Sequence, residues 1–302
     1  MTLLLALLSA AIVFLVSATT VIFIIGPVLL LQPRRRRKDF YRALNHPLTP
    51  RDLGLQYEEI NVIARDGTKL NGWLVKAGHS AKGTILFLHG VGDCKIAGVP
   101  YARLFVDHGF NTFLYDSRRH GESDGTFCTY GYYERHDVID IIDYLRSRTD
   151  VVLRSIGIFG TSMGAAVAIQ AAAIDKRIVA IVAENSFATL RSIFDDYQKR
   201  MTKLPFHYLR NIVIKRSELM AKFKANDVSP LDAVKQIHLP ILFIYGKKDR
   251  HINHQYSIML HHNAEMPKEL FPIENAAHND TWQVAGKPYE QKLVEFFKQN
   301  LQ

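Results

Sequence analysis

The chain has 302 residues, 48% of them hydrophobic, enough for a substantial core and outside the range of an intrinsically disordered chain. Its formal net charge of +9 would suit a nucleic-acid partner, but five of the positives sit in the single run Arg34-Arg35-Arg36-Arg37-Lys38; the remainder is an ordinary, mildly basic surface with no nucleic-acid footprint. Cys94 and Cys128 are the only cysteines, which excludes a disulfide framework and a zinc set of the Cys-x-x-Cys kind.

From Leu3 to Leu31 the sequence is almost wholly apolar and uncharged. A helix of that length, at about 1.5 Å per residue, exceeds the ~30 Å hydrocarbon core and spans a bilayer with tilt. Gly26-Pro27 is expected to kink or end it, because proline cannot donate to the preceding turn, which leaves residues 3 to 26 or a little beyond as the span. A cleaved signal peptide would have a basic start and a shorter apolar run, and a soluble core helix would not be apolar all round. With no Lys or Arg before the span and five just after it, the positive-inside rule predicts a single-pass protein of the cell (inner) membrane. Its C-terminal bulk is expected on the cytoplasmic side, and its basic cluster among anionic lipid headgroups. Residues 1–32 thus read as a transmembrane anchor and 33–55 as a basic juxtamembrane linker.

Residues 56–64 alternate as a strand, Arg65-Asp66-Gly67-Thr68 is a turn, and residues 69–75 return as the hairpin partner. Short, mostly apolar runs follow at 84–88, 112–115, 156–159, 178–183, 241–245 and 269–273, with helical stretches at 99–108, 134–148, 163–174 and 288–299. An antiparallel entry followed by alternating strands and helices predicts an α/β fold: a mostly parallel, twisted sheet with helices on both faces. Ligands of such sheets bind at the carboxyl ends of the strands.

Reactive residues cluster there. Leu88 runs into His89-Gly90-Val91-Gly92-Asp93, and Tyr115 into Asp116-Ser117-Arg118-Arg119-His120-Gly121-Glu122-Ser123. Tyr245 runs into Gly246-Lys247-Lys248-Asp249, and Ile273 into Glu274-Asn275-Ala276-Ala277-His278. Between an apolar strand and an alanine-rich helix stands Gly160-Thr161-Ser162-Met163-Gly164, the sequence shape of a nucleophile elbow. Through Leu88-His89-Gly90, this pentapeptide, Gly246-Lys247-Lys248-Asp249 and Ala277-His278, residues 56–302 resemble the α/β-hydrolase superfamily. More narrowly, the 115–123 motif with Tyr130-Gly131-Tyr132-Tyr133-Glu134 is similar to bacterial, membrane-anchored hydrolases of the serine-aminopeptidase-like (S33-type) branch.

A serine needs an imidazole to take its proton and an anion to orient that imidazole, in the chain order Ser, acid, His. Ser162, Asp249 and His278 meet that order as catalytic residues, and the resemblance selects the same positions. Glu184, after the 178–183 strand, is an alternative acid; His89 reads as structural, and His251 and His254 as solvated or substrate-facing. The backbone N–H groups of Met163 and Val91 are the expected oxyanion donors, with Gly92 or Cys94 as alternatives to Val91. Arg118 and Arg119 either pair with acids of their loop or bind a substrate anion, and the two cysteines read as small hydrophobes.

More than one crossover helix lies between the strands at 178–183 and 241–245, so a small helical lid is expected over about 187–230. Its aromatic residues Phe187, Phe194, Tyr197, Phe206 and Tyr208, with Met201, Leu204 and Pro205, either shape an apolar pocket or pack the lid onto the sheet. The expected function is a membrane-anchored serine hydrolase cleaving carboxylic esters or thioesters, with a small-molecule or lipid-like acyl ester as substrate and no cofactor or metal. A peptidase or amidase, suggested by the resemblance, and a catalytically silent binding protein are the rival readings.

Overall fold

The computed structural model describes residues 2–78, 81–151, 155–202 and 207–301. Its first half runs α1 (Thr2–Thr20), a π-helical turn (Val21–Ile25), α2 (Gly26–Leu31), α3 (Lys38–Ala43), β1 (Glu58–Ile63), β2 (Lys69–Val75), β3 (Thr84–Leu88), α4 (Val99–Asp107), β4 (Asn111–Tyr115) and α5 (Glu134–Ser147). The second half runs β5 (Ile156–Thr161), α6 (Met163–Ile174), β6 (Ile178–Glu184), α7 (Leu190–Thr202), α8 (His207–Ala221), α9 (Pro230–Val234), β7 (Ile241–Gly246), α10 (Gln255–Asn263), β8 (Lys268–Ile273), α11 (Thr281–Ala285) and α12 (Lys287–Asn300).

The strands form one eight-stranded sheet in the order β1-β2-β4-β3-β5-β6-β7-β8. β1 pairs antiparallel with β2 and β2 antiparallel with β4; every later pair is parallel. Successive side chains of a strand point to opposite faces, so a strand covered on both faces reads as a continuous apolar run. Ile85 and Phe87 pack with α4 and α12 through Phe105 and Phe297 on one face, while Leu86 and Leu88 join α5 and α6 on the other. At the sheet edge β1 alternates exposed and buried positions over its last residues, as a half-covered strand must. The alanines of α6 suit its place: residues from Met163 to Ala172 are all buried, and small side chains let the helix lie close on the sheet.

One expectation is corrected at the N-terminus. The helix does not end at Gly26-Pro27. It widens into the π-helical turn just before them, with the Gly26 N–H donating to the Val21 carbonyl, and runs on to Leu31. That register shift accommodates the proline, whose ring would otherwise strike the carbonyl one turn back. Leu3–Leu31 is the one helix among the described residues long and apolar enough to cross a membrane. Its last turns pack on α8, where a Cβ at Gly26 would lie 3.1 Å from Val213, whereas Leu3, Leu8 and Phe14 are exposed.

Candidate active site

The strand-to-helix turn after β5 puts Ser162 at φ 54°, ψ −116°, a strained conformation for a residue with a side chain. The two flanking glycines make the turn possible. A Cβ on Gly160 would sit 2.3 Å from the Gly164 carbonyl oxygen, and one on Gly164 would sit 2.0 Å from that of Leu88. The Ser162 N–H donates to the Glu184 carbonyl at 2.8 Å, which ties the elbow to the end of β6.

The loops after β7 and β8 bring Asp249 and His278 to this serine. His278 Nε2 is 3.0 Å from Ser162 Oγ, and its Nδ1 is 2.6 Å from Asp249 Oδ2. The other oxygen of Asp249 accepts the N–H groups of His251 and Ile252 at 2.7 and 2.9 Å, so the carboxylate is oriented from both sides. Its side chain is 1% exposed and that of His278 11%. Glu184 faces elsewhere: its carboxyl takes the Thr281 hydroxyl at 2.8 Å and the Tyr289 hydroxyl, and burial raises its pKa.

Asn185 was not singled out by the sequence, yet it joins these loops. Its Nδ2 donates to the His278 carbonyl at 3.0 Å, while its Oδ1 accepts the Gly246 N–H at 3.1 Å. It is buried in the left-handed region at φ 51°, which asparagine tolerates better than most residues. Its position directly after a strand was the available signal.

The turn after β3 faces the elbow, and a Cβ on Gly90 would lie 3.3 Å from that of Ser162. The N–H groups of Val91 and Met163 donate to no acceptor among the described residues. By contrast the Gly92 N–H donates to His120 Nε2 at 3.0 Å and that of Cys94 to Asp93 Oδ1 at 3.1 Å, which removes both alternatives to Val91. His89 mirrors His120: its Nδ1 donates to the Gly90 carbonyl at 2.8 Å and its Nε2 accepts the Ser117 N–H at 3.0 Å. Both rings must be neutral to accept at Nε2, and burial lowers their pKa values to about 4 for His89 and about 3 for His120.

The 115–123 motif is the scaffold of that turn. Asp116 takes the buried Lys95 ammonium at 2.7 Å and the Lys95 N–H at 2.7 Å, with Glu122 as the second partner of the ammonium. Arg118 forms a buried two-pronged pair with Asp137 and reaches Asp66 at 2.8 Å, so of the two arginines it is the structural one. Arg119 has no carboxylate at ion-pair distance among the described residues. Both cysteines are buried, and burial pushes the Cys94 thiol up to about 12.

Ser162 and His278 open into a cavity of about 770 Å³. Residues 33–55, expected as a linker, are folded against the body and build one wall of it through Arg36, Phe40, Tyr41, Leu44 and His46. Asp93 anchors that wall, taking Arg36 at 2.9 Å and the Tyr41 hydroxyl, and burial raises the Asp93 pKa to about 6. Of the lid aromatics, Tyr197 lines the cavity, Phe187 and Phe194 are buried, and Tyr208 is exposed. Leu204, Pro205, Phe206 and the Met201 side chain lie outside the described residues. His251 lines the cavity beside His278, with ring centroids 5.4 Å apart.

The sheet order, the helices on both faces and a serine on a strand-to-helix elbow define an α/β-hydrolase. Residues 79–229 match the family model described as serine aminopeptidase, S33, and the chain belongs to that family. It is 32% identical over 232 residues to the uncharacterized protein YqkD of Bacillus subtilis, covering 76% of this chain and 75% of that one. The uncharacterized membrane protein YNL320W of Saccharomyces cerevisiae is 26% identical over 247 residues, 79% of each chain. Among solved structures, the esterase Pf2001 of Pyrococcus furiosus superposes with a TM-score of 0.74 at 25% identity, over 90% of this chain and 99% of that one.

Proposed function

We propose that the protein is a membrane-anchored serine hydrolase that cleaves carboxylic esters or thioesters through an acyl-enzyme. The observation that carries this reading is the Ser162–His278–Asp249 relay, with contacts of 3.0 and 2.6 Å, on the strand-to-helix elbow after β5. Ser162 Oγ attacks the carbonyl carbon as His278 Nε2 takes the hydroxyl proton. Asp249 holds the opposite ring N–H and stabilises the imidazolium. The N–H groups of Met163 and Val91 receive the developing oxyanion. His278 then protonates the departing alcohol or thiol, and water, activated by the same imidazole, releases the acid and restores the serine.

The likeness to an esterase of known structure supports the ester preference, and the apolar helix supports anchoring. The arginine run just after that helix supports a cytoplasmic active site. A panel of p-nitrophenyl esters of increasing chain length, run beside aminoacyl amides, tests the reading. Ester turnover that disappears in Ser162→Ala is the expected result. Turnover of the amides alone would replace the esterase by the aminopeptidase that the family description names.

A further inference from the structure

The arginines that follow the apolar helix fold back over the turn after β3. The Arg36 N–H donates to the Gly92 carbonyl at 2.7 Å, and the Arg34 carbonyl lies 2.7 Å from where a Cβ on Gly92 would stand. The Leu31 carbonyl accepts the Cys128 N–H at 2.8 Å and that of Leu30 the Tyr130 hydroxyl at 2.7 Å, so the end of the anchor helix is fixed to the body. The chain from Arg34 to Arg37, with Arg119, lines a basin of about 1220 Å³. Arg36 and Phe40 line this basin and the catalytic cavity alike, so the two adjoin.

The cations of this region fall into two groups. Arg36 is neutralised by Asp93, Lys38 by Glu122, and Arg118 by Asp137 and Asp66. Arg34, Arg35, Arg37 and Arg119 have no carboxylate at ion-pair distance among the described residues, and the Nε of Arg35 is buried without a hydrogen-bond partner. Burial and the like charges of Arg119 and Arg37 lower the Arg35 pKa and outweigh the opposing pull of Asp116, as crowded guanidinium groups do. The backbone holds Arg119 in place at φ 66°, with its N–H on the Asp124 carbonyl at 2.8 Å. An arginine seldom adopts that conformation unless its loop imposes it.

We propose that this basin is a subsite for a phosphate-type anion carried by the substrate, which makes the substrate class an anionic amphiphile bearing an acyl ester. The proposal rests on the serine-esterase reading and names its substrate. Arg35, Arg37 and Arg119 hold the anion while the ester carbonyl reaches Ser162. The main chain of the arginine run meets this turn at Gly92 and the serine meets it at Gly90, two peptide units and so at most about 7 Å of chain apart. Guanidinium groups suit this task because their planar donors match phosphate oxygens in pairs. The membrane end of the fold points the same way: α8, which packs on the anchor, exposes Tyr208, Leu209 and Leu219. In the reaction the Ser162 Oγ–acyl bond forms, the ester C–O bond breaks, and the anion-bearing alcohol leaves with the proton from His278. Water then releases the carboxylic acid.

The test uses the full chain in detergent micelles containing either phosphatidylglycerol or phosphatidylcholine with the same acyl chains, with released fatty acid as the readout and a p-nitrophenyl ester measured alongside. The expected result is faster cleavage of phosphatidylglycerol. In Arg35→Gln/Arg119→Gln that preference falls about tenfold, the worth of one charge-assisted contact, and in Arg35→Lys/Arg119→Lys much of it returns. Removing two charges elsewhere, in Arg103→Gln/Lys298→Gln, leaves the preference as it was, and melting temperatures confirm that each variant is folded. Equal cleavage of the two lipids by the unaltered protein, or a preference that survives in Arg35→Gln/Arg119→Gln, would overturn the proposal. So would competitive inhibition of p-nitrophenyl ester turnover by inorganic phosphate without any lipid preference, which would make the basin a site for free phosphate. Failure on every ester, the p-nitrophenyl compounds included, would instead sink the esterase reading, and the subsite's role with it.

Discussion

The elbow after β5 and the turn after β3 face the same cavity, yet they are held by different means. The elbow is held by main chain alone: Gly160 packs on Gly164, Gly164 on the Leu88 carbonyl, and the Ser162 N–H binds the Glu184 carbonyl. The turn after β3 is held largely by side chains, neutral His89 and His120 and the Lys95–Asp116–Glu122 cluster, and by the segment that follows the apolar helix. The serine's geometry therefore comes from close main-chain packing of a pentapeptide between β3 and β6. The Val91 amide depends on chain far away in sequence, so a change in residues 34–41 bears on that turn and leaves the serine in place.

Gly164→Ala attacks the elbow and carries the largest effect. Its methyl group would stand 2.0 Å from the Leu88 carbonyl oxygen, on main chain that cannot yield without moving β3. We expect a loss of about 3 kcal/mol of stability, read as a fall in denaturation midpoint, together with loss of ester turnover. An unchanged midpoint would mean that the elbow is not packed as described.

Asn185→Ala tests whether the acid and histidine loops are held as firmly as the elbow. Without the bridge between the His278 carbonyl and the Gly246 N–H, turnover should fall roughly a hundredfold in kcat, with KM little altered, because the imidazole loses its aim. Asn185→Asp keeps the acceptor for Gly246 but sets a buried carboxylate oxygen against the His278 carbonyl, so it should lose at least as much. A rise in KM at constant kcat would assign Asn185 to substrate binding instead.

The turn after β3 predicts a smaller, pH-dependent effect. His89 and His120 have folded pKa values of about 4 and about 3, below the ordinary value of 6.5, so the unfolded chain takes up protons first as the pH falls. Their contribution is therefore intact above pH 6.5 and is lost as the pH falls from there toward 4, by about 1.4 kcal/mol per pH unit for each proton. Asp93, raised to about 6, acts in the opposite sense between pH 6 and 4, one group against two. His120→Gln keeps an acceptor for the Gly92 N–H but has no proton to gain, so denaturation midpoints across pH 7 to 4 should fall less steeply than in the unaltered chain. Parallel profiles would show that the ring is not held neutral.

Much of this was readable beforehand, and the rest was hidden for identifiable reasons. Parallel strands buried on both faces are continuous apolar runs, and the residues directly after them, Ser162, Asp249 and His278, stand close together in the structure. Asn185 and His120 escaped because their roles consist of contacts with loops remote in sequence. The packing of residues 33–55 escaped because charges and prolines look like a linker, while Tyr41 and Arg36 find Asp93 only in the folded chain. Pro27 was expected to kink or end the helix; it disturbs the helix without ending it, because a π-helical turn supplies a register that accommodates the ring.

The account turns on Ser162 being the nucleophile. Treating the full chain with a fluorophosphonate and mapping the adduct by mass spectrometry tests this most directly. The account predicts a single adduct on the peptide carrying Ser162, abolished in Ser162→Ala and strongly slowed in His278→Gln. An adduct on another residue, or labelling that persists in Ser162→Ala, would contradict it.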